Sequence, residues 1–145
     1  MIRIIDKKDK DIFIEMVSEF FSSPAVLHNI PIENIQNTFN ELISDSPYTK
    51  AYIAEFNNEV AGYIMISITY SNEAGGIAIL LEEIYIRDEF QNKGIGTELI
   101  NFIKQEYPDA KRFRLEVESD NIGAVKLYKK LGFKKLPYMQ MIIDK

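Results

Sequence analysis

The chain has 145 residues and a mass of 16.8 kDa, with 46% hydrophobic and 27% charged residues. That supplies one buried core and excludes global disorder. Its 17 basic and 22 acidic residues leave a net charge of −5, which weighs against nucleic acid as a partner because phosphate neutralisation needs a basic face. The absence of cysteine excludes a disulfide framework, a thiolate metal site and a cysteine nucleophile, and a single histidine speaks against a His-rich metal site or a His-based triad. The opening Met1-Ile2-Arg3-Ile4-Ile5-Asp6 turns charged too soon for a secretory leader. No apolar run approaches the roughly 20 residues that cross a bilayer. The expectation is one domain over residues 1–145, soluble, cytoplasmic and without a membrane partner.

In chain order, Ile2 to Ile5 reads as a short strand. Asp6 to Asp11 opens a helix whose apolar stripe is Ile12, Phe13, Met16, Val17, Phe20 and Phe21, stopped by Ser22-Ser23-Pro24. A second helix runs from Pro31 to about Ile43, with Ile32, Ile35, Phe39 and Leu42 at helical spacing. Ala51–Phe56 and Val60–Tyr70 flank Asn57-Asn58 as a hairpin. The cluster from Ser71 to Gly76 is a loop, and Ile77–Ile86 a further strand, apolar on both sides except for Glu82-Glu83. A helix from about Gly94 to Glu106 ends at Pro108, Phe113–Val117 alternates as a strand, and Asn121–Leu131 is a helix ended by Gly132 as a left-handed cap. Phe133 and Met139–Ile143 are expected to close the sheet. The order β-α-α-β-β-β-α-β-α-β predicts an α/β fold, a twisted mixed sheet flanked by about four helices, with its parallel part in the second half.

Gln91-Asn92-Lys93-Gly94-Ile95-Gly96-Thr97 lies between a strand end and a helix start. Such a junction points backbone N–H groups and the positive end of the helix dipole at one spot, and small residues let an anion approach it. Lys93 and the Thr97 hydroxyl could add donors; the plainer reading is a first helical turn that binds nothing. The third glycine of the dinucleotide fingerprint is missing, and the pattern is not a G-x-x-x-x-G-K-[S/T] loop.

Gln91-x-x-Gly94-x-Gly96 resembles the [Q/R]-x-x-G-x-[G/A] motif of the GNAT superfamily, the GCN5-related N-acetyltransferases. About 30 residues on, Asn121-x-x-Ala124-x-x-Leu127-Tyr128-x-x-Leu131-Gly132-Phe133 is similar to that family's N-x-x-A-x-x-[L/F]-Y-x-x-[L/Y]-G-F signature. Leu81-Glu82-Glu83-Ile84-Tyr85-Ile86 looks like the family's fourth strand, and the element order resembles the GNAT fold over nearly the whole chain. The one departure is Gln91, where arginine is commoner.

The resemblance implies an acetyl-CoA-dependent N-acetyltransferase without a metal. The amides of Gln91 to Thr97 would hold the pyrophosphate, and the backbone of Ile84, Tyr85 and Ile86 the pantetheine arm. Asn121 would approach that arm, although an Asn there also suits a helix N-cap. Tyr128 would be the acid that protonates the departing thiolate, against the alternative of a tyrosine packed beside Leu127 and Leu131. The base would be Glu82 or Glu83, acting through a water. Adjacent strand residues point to opposite faces unless a bulge re-aims one, and the resemblance ranks Glu82 first. Attack would be direct, in a ternary complex.

For the acceptor, Gly62 to Tyr70 followed by Leu81-Glu82-Glu83 looks like diamine and polyamine acetyltransferases, so a small cationic amine is expected; an amino acid, an aminoglycoside, or a protein N-terminus or lysine stays open. A non-catalytic acyl-CoA-binding domain is the reading from another class. His28 is a structural residue or flanks the acceptor, while Lys126, Lys129 and Lys130 form a solvated face or meet the 3′-phosphate of CoA. Met139–Ile143 offers an edge strand through which a homodimer could form.

Overall fold

In the computed structural model, which describes residues 1–24, 26 and 28–145, five strands form one sheet in the order β1-β2-β3-β4-β5. β1 is Ile2–Ile4, β2 Thr49–Phe56, β3 Glu59–Ser71, β4 Gly76–Ile86 and β5 Arg112–Leu115; the helices are α1 (Lys10–Phe21), α2 (Ile32–Ile43), α3 (Ile95–Glu106) and α4 (Ile122–Lys130). The first four strands pair antiparallel, and β4 pairs parallel with β5 across the α3 crossover. The parallel part lies in the second half, where helices and strands alternate.

Local chemistry fixes the early elements. Asp6 and Asp9 form a reciprocal capping box over the 3-10 turn that leads into α1. Asn57 and Asn58, at φ 51° and 64°, turn β2 into β3, a conformation asparagine tolerates better than most residues. Asp9 is buried and takes two 2.8 Å hydrogen bonds from Arg3, which also bonds Glu55, so β1, β2 and the start of α1 are tied together.

The sheet has a core on each face. On one, Phe13, Met16 and Val17 of α1 and Ile35, Phe39 and Leu42 of α2 pack on Ala51, Ile53 and Tyr63. On the other, Ile95, Leu99, Ile100 and Ile103 of α3 cover Tyr52, Ile64, Ile66, Ile79 and Leu81. Of the stripes expected for the three longer helices, Phe13, Met16, Val17, Ile35, Phe39, Leu42, Ile95, Leu99 and Ile103 are buried, whereas Ile32 at the start of α2 is exposed.

One expectation fails. No strand forms after α4: residues 133–145 run without strand pairing, and Met139 and Ile143 are 84% and 91% exposed. An apolar run with strand propensity supplies no pairing partner by itself. Here the paired sheet ends at β5.

Candidate active site

The centre of the site is an irregularity in β4. Met65 lies opposite Glu83 and Ile66 opposite Leu81, so Glu82 is an extra residue, a β-bulge. In a regular strand the two glutamates would face opposite sides. Instead the Glu82 carboxylate accepts a 2.7 Å hydrogen bond from Ser67 and the Glu83 carboxylate a 3.0 Å hydrogen bond from the Tyr63 hydroxyl. Tyr63, Met65 and Ser67 alternate along β3 and share the face covered by α1 and α2. The bulge therefore turns both carboxylates to that face.

The two carboxylates sit in different environments. Glu82 is exposed and lines an open groove of about 440 Å³ with Asn37, Thr38, Glu41, Thr49, Met65 and Ser67. Glu83 is half-buried against Tyr63. Burial pushes its carboxyl up to about 7, with the Tyr63 hydrogen bond opposing the shift and the charge of Glu82 adding to it. Nearby, the Tyr85 hydroxyl donates to Glu19 of α1 at 2.7 Å, and Arg87 pairs with Glu15 at 3.0 Å, which fastens α1 to the end of β4.

β4 also has an open flank. Its pairing with β5 covers only Ala78 to Leu81, so from Glu82 through Ile84, Tyr85 and Ile86 the backbone on that side has no strand neighbour. An extended ligand can take those N–H and C=O groups as an added strand does. Gly62 keeps the other side close: a Cβ there would lie 2.2 Å from the Tyr85 carbonyl oxygen.

The open flank ends at the loop before α3. Gln91 donates from its side-chain amide to the Ile86 carbonyl and to Asp88, both at 3.1 Å, closing the turn. Asn92 and Gly94 have φ of 60° and 81°, and α3 starts at Ile95 with no side-chain cap. Left-handed residues beside an uncapped helix start leave the first-turn N–H groups free and convergent, the arrangement that binds a phosphate. A Cβ on Gly94 or Gly96 would meet nothing within 4 Å, so the cradle above the turn is open. The Lys93 ammonium lies 5.7 Å from the centre of the Phe56 ring.

α4 follows β5 and packs on the α3-side core through Tyr128. The Asn121 side chain caps it, accepting from the Ala124 N–H at 3.3 Å. Gly132, at φ 97°, ends it in a Schellman motif, with Gly132 N–H on the Lys129 carbonyl and Phe133 N–H on the Tyr128 carbonyl. This brings the Phe133 ring edge-on to Tyr128 at 6.0 Å. Tyr128 packs on the α3-side core together with Ile84 and Ile86, and its hydroxyl has no hydrogen bond among the described residues; burial raises its pKa. The glutamates and Tyr128 thus lie on opposite faces of β4, with the open flank between them.

A family model for the acetyltransferase (GNAT) family matches residues 13–133. The chain belongs to the GNAT family. Among curated relatives, an N-alpha-acetyltransferase of Sulfurisphaera tokodaii is 32% identical over 99 residues, 61% of this chain and 59% of that protein. A thialysine N-epsilon-acetyltransferase of Sus scrofa is 37% identical over 79 residues, 53% and 46% of the two chains. The matched stretches therefore span about half of those relatives' length. The GNAT fold is shared with a possible acetyltransferase from Clostridium difficile 630, at TM-score 0.85 and 21% identity over 100% of this chain and 97% of the other. It is shared equally with AAC(6')-Iy in complex with the bisubstrate analogue CoA-S-monomethyl-acetylneamine, at TM-score 0.82 and 16% identity over 100% and 97%.

Sequence reasoning did not find Tyr63, Glu19, Glu41 or Ser67 as neighbours of the site. Tyr63 reads as core in an apolar run, and the others come from elements far apart in the chain. His28 is exposed in the α1–α2 connection. Among the described residues no helix is long and apolar enough to cross a membrane.

Proposed function

We propose that the protein is an acetyl-CoA-dependent N-acetyltransferase acting on a small cationic amine, with Glu83 as the base and Tyr128 as the acid. The observation that carries this is the open flank of β4, running from the two bulge carboxylates at one end to the phosphate-type loop at the other. A pantetheine arm laid along Ile84 to Ile86 places its pyrophosphate at Gln91 to Thr97 and its thioester beside the bulge. Gln91, which takes the place of the commoner arginine, acts by bracing the loop, and the loop amides contact the anion. Thr97 and Asn92 serve through their backbone.

The chemistry follows from the two faces. The amine enters on the α1–α2 face, where Glu19, Glu41, Glu82 and Glu83 favour a cation. Glu82 binds the cation, the attacking nitrogen gives its ammonium proton to solvent through the open groove, and Glu83, whose pKa is matched to neutral pH, takes a second proton as the now neutral nitrogen forms its bond to the thioester carbonyl carbon. The carbon–sulfur bond breaks and Tyr128, on the opposite face, gives its proton to the sulfur. Glu83 thus takes the role for which the sequence resemblance favours Glu82, because burial suits it to gain and lose a proton near pH 7 while Glu82 is open to solvent.

The test is calorimetric titration of acetyl-CoA into the wild type and Gly96→Trp, followed by a thiol-release screen over mono-, di- and polyamines. Binding lost in the variant and turnover strongest with diamines or polyamines is the expected result. Binding without turnover on any amine would favour the acyl-CoA-binding reading or a macromolecular acceptor.

A further inference from the structure

The groove beside the bulge is chemically one-sided. Three hydroxyls line it, and each has its proton committed: Thr38 donates to the Asn34 carbonyl at 2.8 Å, Thr49 to the Ile66 carbonyl at 2.8 Å and Ser67 to the Glu82 carboxylate at 2.7 Å. A hydroxyl has one proton and two lone pairs, so these three have only lone pairs left to offer a ligand. Glu41 of α2 and Glu82 add two exposed carboxylates, which are acceptors as well. Among the described residues no lysine, arginine or histidine lines the groove, and the Asn37 amide is its one side-chain donor. A groove of about 440 Å³ so lined is complementary to a ligand that is positively charged and rich in donors.

The groove also has a direction. Glu83 is drawn toward Tyr63 and Glu82 toward Ser67, four residues further along β3. Thr49, the register partner of Ser67, lines the groove, which places it at the Ser67 end. Met65 joins the two ends, since it lies opposite Glu83 in the sheet and lines the groove too. Its side chain is apolar surface on which methylenes can lie. Ser67 takes one of the roughly four lone-pair sites of the Glu82 carboxylate and leaves the rest for a cation.

We propose that the groove seats a second ammonium group of the acceptor, held by Glu41 and Glu82 while the first reacts beside Glu83, and that it rejects an acceptor with a carboxylate at that end. The inference rests on the reading of Glu83 as the reacting end and narrows its substrate to linear amines with a cation at each end of a methylene chain. The chain lies along Met65, and the far ammonium meets two carboxylates and a set of lone pairs. An amino acid of the same reach brings its own carboxylate to Glu41 and Glu82, where like charges repel and only Asn37 can donate. Glu41 is thus a specificity-determining residue, brought to the site by α2.

The test compares three acceptors of one reach that differ only at the far end: 1,5-diaminopentane, 1-aminopentane and lysine. Thiol release should give a kcat/KM for the diamine roughly 10-fold above the monoamine, with lysine lowest, since part-exposed ion pairs contribute modestly. Glu41→Gln should reduce the diamine-to-monoamine ratio roughly 3-fold, through KM rather than kcat. Glu41→Lys should raise lysine relative to the diamine. A wild type that uses lysine or the monoamine as well as the diamine overturns the proposal and leaves the acetyltransferase reading standing. So does a preference that the two Glu41 variants leave unchanged. If none of the three is acetylated, that reading falls, and calorimetric titration of the diamine in the presence of CoA decides the groove: binding weakened by Glu41→Gln supports it, and absent or unchanged binding overturns it.

Discussion

Glu83→Gln keeps the shape of the side chain and an acceptor for Tyr63 while removing a buried charge. The Glu83 carboxyl rises from an ordinary 4.5 to about 7 in the folded protein, and each unit corresponds to about 1.4 kcal/mol. The ionised form therefore costs the native state about 3 kcal/mol. The folded pKa lies above the unfolded one, so the native chain binds the proton more tightly. Wild-type stability falls as pH rises from about 4.5 to about 7 and stays low above that. The glutamine does not titrate. Relative to wild type, the variant should gain about 3 kcal/mol between about pH 4 and pH 9, or roughly 10 °C of melting temperature for a chain of this length. Activity should move the other way: kcat/KM in the wild type rises to a plateau above about pH 7, and in the variant falls roughly 10²- to 10⁴-fold and loses that limb. Thermal melts at the two pH extremes and a pH–rate profile measure both. Wild-type turnover in the variant, or melting temperatures whose difference does not change with pH, would refute the reasoning.

Tyr128→Phe should lower kcat roughly 10²-fold with little change in KM or melting temperature, since the hydroxyl makes no hydrogen bond among the described residues; steady-state kinetics beside a thermal melt checks this. Gly62→Ala would set a methyl 2.2 Å from the Tyr85 carbonyl oxygen and 2.9 Å from the Ile86 side chain, so β3 and β4 must separate. Lower stability and weaker acetyl-CoA binding in the same variant are expected by melting and calorimetry. Asp9→Asn breaks the bidentate contact with Arg3 and should cost about 3 kcal/mol by urea unfolding. Burial alone would raise the Asp9 carboxyl, but hydrogen bonds from Arg3 and from the Asp6 amide, with the charge of Arg3, hold it below its ordinary 3.8. This stability is present above that value and is lost as pH falls through the lowered pKa.

The helices and the antiparallel strands were readable because their signals are local. The period of Phe13, Met16 and Val17, the Asn57-Asn58 turn and the Gly132 cap each act within a few residues. The loop at Gln91–Thr97 was readable for the same reason. What the sequence left open was set by pairing between distant segments. Whether Glu82 and Glu83 share a face depends on a bulge against Met65 and Ile66, and nothing within Leu81–Ile86 announces which residue is extra. The acidity of the face needs Glu19 and Glu41 brought in by α1 and α2. The closing strand failed although the outer edge of β5 is free, because an apolar run at Met139–Ile143 does not by itself specify pairing with that edge.

The lack of any buried side chain beyond Ile103 divides the two proposed proton carriers between parts of unequal durability. Glu83 lies on a strand held between the two cores, whereas Tyr128 rides on a helix with no buried residue of its own. Local opening should release α4 well before it disturbs β4, so amides of residues 122–130 should exchange with solvent deuterium sooner than those of β3 and β4. A ligand lying in the cleft touches both parts, and its binding energy would then count toward closing the weaker one. Acetyl-CoA would slow exchange most where Tyr128 sits, and the acid would be firmly in place only when there is a thioester for it to serve.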